Sequence, residues 1–171
     1  MTGVQTCALP ISEPTVPTLR YLPPKVKRSE TGTILTGAPA ELANTSIDTS
    51  GGTISVDKQG DPLNGLQIAV PPGAYKETKS FKVSSSPITV NTFGNGVNPI
   101  SPKIKVENGG EFADKAMTIK VPAQLEEGQA AIWYFYNEKT GTLEAVPTVA
   151  MDKDSVTVAT THFSEIGRAH V

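Results

Sequence analysis

From Ala43 onward the chain alternates polar and apolar residues with a period of two. Thr53-Ile54-Ser55-Val56 shows the alternation, as do Gly65 to Val70, Phe81-Lys82-Val83 and Lys103-Ile104-Lys105-Val106. Met117 to Val121 repeats it, Ala131 to Tyr136 is a dense apolar run, and Leu143 to Val149 and Ser155 to Thr161 complete the set. Successive side chains of a strand point to opposite faces, so each segment can bury one set and expose the other. Turn-forming clusters separate the segments at short intervals: Ser50-Gly51-Gly52, Pro71-Pro72-Gly73, Asn108-Gly109-Gly110, Glu138 to Gly141 and Asp152-Lys153-Asp154. Many short strands with this spacing predict an all-β fold, an antiparallel β-sandwich of about seven to nine strands. Ala113 to Ala116 and Gln124 to Glu127 are too short for more than a helical turn.

Residues 13–42 carry a different signal. They hold Pro14, Pro17, Pro23, Pro24 and Pro39 and a small basic cluster at Lys25, Lys27 and Arg28. Proline fixes φ and removes a donor, so this stretch reads as a proline-rich, extended or disordered linker. The basic cluster reads as a solvated patch.

The two ends are expected to have another origin. Met1 to Ile11 back-translates, codon for codon, into a common short-read sequencing adapter, and Ile166 to Val171 into its reverse complement. Residues 1–12 and 165–171 are therefore expected to be translated adapter, leaving 13–164 as a metagenomic fragment with a sandwich over 43–164. On that expectation Cys7, the sole cysteine, leaves the argument, and His162 remains as the native histidine. Neither a secretion signal nor a lipoprotein anchor is then observable.

Composition narrows the classes of function. The net charge of −2 and the lack of a basic stripe argue against nucleic acid as a partner. No apolar run approaches the length of a membrane span, so membrane insertion is not expected of this fragment. Charged residues make up only 19%, against abundant Thr, Ser, Gly, Pro and Val, a mixture that suits short strands and tight turns.

The order of the turn elements resembles a known family. Gly51-Gly52-Thr53-Ile54 opens the pattern, followed by Val70-Pro71-Pro72-Gly73-Ala74, Ile100-Ser101-Pro102, Gly109-Gly110 with Phe112, and Ile119-Lys120-Val121-Pro122, closing on Thr161-His162-Phe163-Ser164. This is similar to the ZU-five domain family of ankyrins, netrin receptors and tight-junction scaffolds, and most of all to its bacterial cell-envelope members. The resemblance covers about Thr45 to Ser164. It implies a β-sandwich outside the cytoplasm, at the cell surface or in the periplasm, acting in adhesion, scaffolding or contact between domains. It implies no cofactor and no substrate. The same residues also have plain structural roles: Gly51 and Gly73 permit backbone angles that other residues avoid, and Pro102 starts a strand where no donor is needed.

The candidate chemistry is sparse. Some eukaryotic members of the resembled family cut themselves within a His-Phe-Ser tripeptide. By that resemblance Ser164 would attack the carbonyl of Phe163 with His162 as base, an N-to-O acyl shift followed by hydrolysis. The alternative makes Phe163 a core anchor at the end of the sandwich. A Ser-His-Asp triad has only His162 to draw on, and neither a nucleophile elbow nor a phosphate loop appears. Asp57, Asp61, Asp152 and Asp154 offer oxygen ligands, but without the spacing of a calcium loop, so no metal is expected. Within Trp133-Tyr134-Phe135-Tyr136, Trp133 and Phe135 share one face and Tyr134 and Tyr136 the other. If the first pair fills the core, Tyr134 and Tyr136 form an outward pair able to stack on a carbohydrate or anchor a protein. If a loop covers them, that surface is lost. Asn44-Thr45-Ser46 fits a glycosylation sequon, which carries no sugar in a bacterial source.

These observations point to a non-catalytic extracellular module of a larger cell-envelope protein, binding a protein partner or neighbouring domains of its own chain. Self-cleavage at Phe163–Ser164 and carbohydrate binding by Tyr134 and Tyr136 are the two alternatives.

Overall fold

A computed structural model describes residues 31–94, 97, 99–163 and 168–170. Among these the structure is all β. Thirteen strands follow one another: β1 Ile34–Thr36, β2 Ala40–Ile47, β3 Gly52–Ser55, β4 Gln67–Val70, β5 Lys79–Ser86, β6 Ile88–Asn91, β7 Lys103–Glu107, β8 Met117–Pro122, β9 Trp133–Asn137, β10 Thr142–Val146, β11 Thr148–Met151, β12 Ser155–Thr160 and β13 Arg168–His170. Every ladder is antiparallel.

One layer is a five-stranded sheet in the order β11-β12-β8-β4-β3. The other consists of β2-β5-β7 and β10-β9-β13, with β13 also running beside β7, and a small β1-β6 ribbon adds to it. The chain closes both sides of the sandwich by changing sheets. On one side β2 passes into β3 through Asp48 to Gly51, and on the other β10 passes into β11 at Pro147. Proline lacks an amide donor and so interrupts a ladder, which explains why Leu143 to Val149, expected as one strand, is two.

The period-two positions meet as the pattern requires. Leu66, Ile68, Ile104, Val106, Ile119 and Trp133 share a single buried cluster, with Phe81, Val121, Val156, Val158 and Phe163 among its other members. Each fully buried large apolar side chain is worth about 2 kcal/mol in transfer free energy, so this cluster is the main favourable term of the fold. Phe81 sits at its aromatic centre, edge-on to Tyr75 (centroids 5.9 Å apart) and to Phe163 (6.1 Å).

The paired turn elements fit into one another. Gly51 has φ +77°, and a Cβ there would stand 2.5 Å from the Val70 carbonyl oxygen and 2.8 Å from the Pro71 carbonyl carbon. Glycine is required for both reasons. The amide of Gly73 donates to the carbonyl of Thr49 (2.9 Å), so the Pro71-Pro72-Gly73 turn is tied to the turn that precedes β3.

The strand set is larger than expected. β1 and the start of β2 lie inside the stretch read as linker, because Ile34 and Ile47 each give one buried contact even though most of β2 is exposed or half-buried. β6, with no buried residue, carries no alternation that would reveal it. β13 falls within residues read as translated adapter and is laddered to β9.

Candidate functional site

β9 is the densest aromatic element of the fold, and it organises the places where chemistry was expected. Its core-facing residues Trp133 and Phe135 join the main cluster. Its other face is covered. Tyr134 and Tyr136 are each only 4% exposed, which corrects the expectation of an outward tyrosine pair. Tyr136 belongs to a second apolar cluster with Ile34, Phe93 and Val97. Its ring meets Phe93 edge to face at 6.0 Å. Its hydroxyl donates to the Gly32 carbonyl (3.2 Å) and accepts from the Ile34 amide (3.3 Å). The segment that covers Tyr136 thus comes from more than a hundred residues earlier in the chain, a distance over which alternation carries no information. Carbohydrate stacking on an exposed tyrosine pair loses its surface.

His162 follows β12 at a half-buried position. Its ring is sandwiched between two phenyl rings, Phe112 at 4.8 Å with planes 29° apart and Phe135 at 5.2 Å with planes 25° apart. Its main chain is bracketed by Thr160, whose hydroxyl donates to the His162 carbonyl (2.8 Å) and accepts from the His162 amide (3.3 Å). Phe163 is buried in the main core against Phe81. Ser164, the nucleophile of the acyl-shift alternative, lies outside the described residues. Within the described part, the His-Phe pair is held by packing, with the imidazole as a spacer between rings.

The buried and half-buried polar groups near this end serve the fold. Asn108, on the turn after β7, donates from Nδ2 to the Tyr75 hydroxyl (2.8 Å) and to the Glu111 carbonyl (3.2 Å). Burial pushes the Tyr75 phenol above its ordinary value, partly offset by that bond from Asn108. Lys79 pairs with Glu111 (2.8 Å) and Glu77 (2.6 Å). Hydrogen bonds to Glu111 and then Glu77 raise the Lys79 ammonium, and the bond to Lys79 lowers the Glu77 carboxyl. This ion pair borders a pocket of about 380 Å³ beside Phe112, lined also by Lys76 and Asp114.

The acidic turn residues cap their own turns. Asp152 accepts from the Asp154 amide (2.8 Å) and the Ser155 hydroxyl (3.0 Å), which lowers its carboxyl below the ordinary range. Asp61 accepts from the Leu63 amide (2.9 Å). Asp57 is exposed. Among the described residues, no three His, Cys, Asp or Glu side chains come together as a metal would require, and no helix is long and apolar enough to cross a membrane.

Two joined grooves were not expected from the sequence. One, of about 510 Å³, runs between β6 and the Pro99 to Pro102 segment, with Pro62, Val90 and the half-exposed Ile100 on its walls. It continues through Pro62, Ile100 and Ser101 into a more polar groove of about 660 Å³ bordered by Asp61, Asn64, Gln124 and Asp154. The signal available was weak: prolines scattered over three separate segments, which only the fold brings together.

No family model matches the chain, and no curated protein matches it.

Proposed function

We propose that this domain is a non-catalytic structural and protein-interaction module of a larger cell-envelope protein, working outside the cytoplasm. The observation that carries this reading is the placement of His162 between Phe112 and Phe135. Phe112 and Phe135 pack on the faces of the imidazole, which gives the ring a part in holding the two layers together, and Asp61 and Asp152 cap turns. The turn elements of the ZU-five resemblance are likewise spent on holding the two sheets together, as the Gly73–Thr49 bond illustrates. What the fold offers a partner is surface, including the proline-walled groove at Ile100. The resemblance supplies the cellular setting.

The test is a substrate survey with an internal control. The purified chain is incubated with ester, peptide and glycoside substrates beside a His162→Ala variant, and its intact mass is followed. No turnover above the variant and an unchanged mass are expected. Turnover lost in His162→Ala, or a split after Phe163, would reject the reading. An export-dependent reporter fused to the parent gene should be active, and a silent fusion would remove the cellular setting.

A further inference from the structure

The apolar groove beside Ile100 is walled by two stretches of consecutive residues, 87–91 on one side and 99–102 on the other. Successive side chains of a strand point to opposite faces, so a groove lined by every residue of β6 runs along the edge of the strand and not over one face. β1, which is laddered to β6, contributes no lining residue. The groove therefore follows the edge of β6 that faces away from β1. Among the described residues that edge carries no ladder.

The facing wall does not close onto it. Pro99 and Pro102 lack an amide donor, so 99–102 is unsuited to form a regular ladder with β6. Thr89 and Val90 are exposed, and Ile100 is half-exposed. Main chain and apolar side chains are thus open to solvent together, and an unpaired strand edge of this kind is a template for another extended chain.

Charge narrows the kind of chain. None of the residues lining this half of the groove is charged. Beyond Ser101 the groove continues past Asp61 and Asp154, with no lysine or arginine among its lining residues. Lys58 stands 4.0 Å from Asp61 and Lys153 stands 3.9 Å from Asp154, both at the outer limit of an ion pair. Long, solvent-exposed pairs of this kind are weak and yield readily to a better-placed cation.

We propose that the free edge of β6 accepts an extended segment of a partner protein, uncharged with alternate apolar side chains along residues 87–91 and carrying a lysine or arginine at the Asp61–Asp154 end. Main-chain ladder bonds supply affinity, and the apolar wall and the two carboxylates supply selectivity, the division of labour seen in strand addition. At about 3.4 Å per residue, the five residues of the β6 wall match a partner segment of the same length. The inference rests on the reading of this domain as a protein-interaction module and adds the chemistry of the partner.

The experiment uses the full chain, isotopically labelled, and capped peptides of five alternating threonines and valines with a lysine at each end. Titration should give saturable amide shifts at Ile88 to Asn91 and at Ile100 and Ser101. Glutamate at both ends should weaken binding roughly threefold or more, and a central proline, which loses a ladder donor, roughly fivefold or more. Ile100→Asp should abolish the shifts while the rest of the amide spectrum keeps its positions. Asp154→Asn should narrow the gap between the lysine and glutamate peptides. Absence of saturable shifts at millimolar peptide would overturn the proposal, as would shifts centred on the β3 or β11 edge, or equal binding of the proline or glutamate peptide. Two results with no peptide present would also overturn it: groove shifts that depend on protein concentration, which mean a second copy, and contacts from residues 13–30 to the groove amides, which mean the chain's own segment. Substrate turnover or a split after Phe163 rejects the module reading whatever the titration gives, whereas a failed titration rejects this edge and leaves that reading to the other surfaces.

Discussion

The imidazole of His162 and the ring of Phe135 lie nearly parallel, 5.2 Å apart, which ties the segment after β12 to the aromatic strand of the opposite layer. Phe112 closes the stack from outside and is itself 70% exposed. Half of this contact is therefore covered by a single, solvent-facing side chain.

Phe112→Ala removes that cover without opening the core. Such a ring pair is worth about 0.5–1.5 kcal/mol beyond area, and exposure places this one at the low end. The variant should unfold in urea with a midpoint only slightly below the parent. Phe81→Ala, which empties the centre between Tyr75 and Phe163, should cost about 3–5 kcal/mol. Equal losses from the two variants would show that the stack contributes as much as the core does.

Tyr136→Phe keeps the ring against Phe93 but removes the hydroxyl shared by Gly32 and Ile34. The Ile34 amide is then left buried without that acceptor, at a cost of about 1–2 kcal/mol. The loss should be local. Hydrogen exchange should speed up in β1 and β6, while β4, β8 and β12 keep their protection. Uniform loss of protection would mean that the β1-β6 ribbon does not open separately from the sandwich.

Gly51→Ala and Gly60→Ala separate two causes of strain. Both glycines have positive φ, +77° and +82°. A Cβ at Gly60 meets nothing within 4 Å, so only the backbone term applies, about 1–2 kcal/mol. At Gly51 the clash with Val70 and Pro71 is added, and the loss should exceed about 2 kcal/mol and release the Gly73–Thr49 bond. Chemical denaturation of the two variants side by side reads the difference.

The Lys79 cluster should make stability fall at both ends of the pH scale. Glu77 is lowered chiefly by its hydrogen bond from Lys79. A depressed carboxyl contributes stability above its unfolded value and loses it as pH falls through the folded one, so that loss lies at and below the ordinary glutamate range. Lys79 is raised chiefly by its hydrogen bond to Glu111. Its contribution is complete below the unfolded value and fades as pH rises through the folded one, above the ordinary lysine range. Lys79→Met should flatten the melting-temperature profile at both extremes. A variant profile parallel to the parent's would show that other groups set the limits.

The two grooves that meet at Ile100 lie off the core, and Ile100 is 52% exposed. Ile100→Asp should therefore change stability by no more than about 0.5 kcal/mol, as is usual for surface substitutions. A larger loss, read from the urea midpoint, would mark the segment as part of the packed interior.

How much of this was legible in the sequence depends on whether the signal is local. Alternation at Gln67 to Val70, Lys103 to Glu107, Met117 to Pro122 and Ser155 to Thr160 marked strands, because one buried face imposes a period of two on the residues that form it. The Gly51 and Pro71 to Gly73 turns were readable because glycine and proline act on their own backbone. β1, the start of β2 and β6 were hidden, since ribbons with little burial need no alternation. Tyr134 and Tyr136 were placed on the correct face of β9, but what lay over that face depended on Gly32, Ile34 and Phe93, far away in the chain.

Local pattern alone implies short antiparallel strands, most of their turns, and the side chains that meet inside. The closed sandwich sets which strands are neighbours, covers the aromatic strand on both faces, and puts His162 between two phenyl rings. Inward or outward is chosen residue by residue, whereas what lies against each face is chosen by segments that approach only once the whole sandwich has closed.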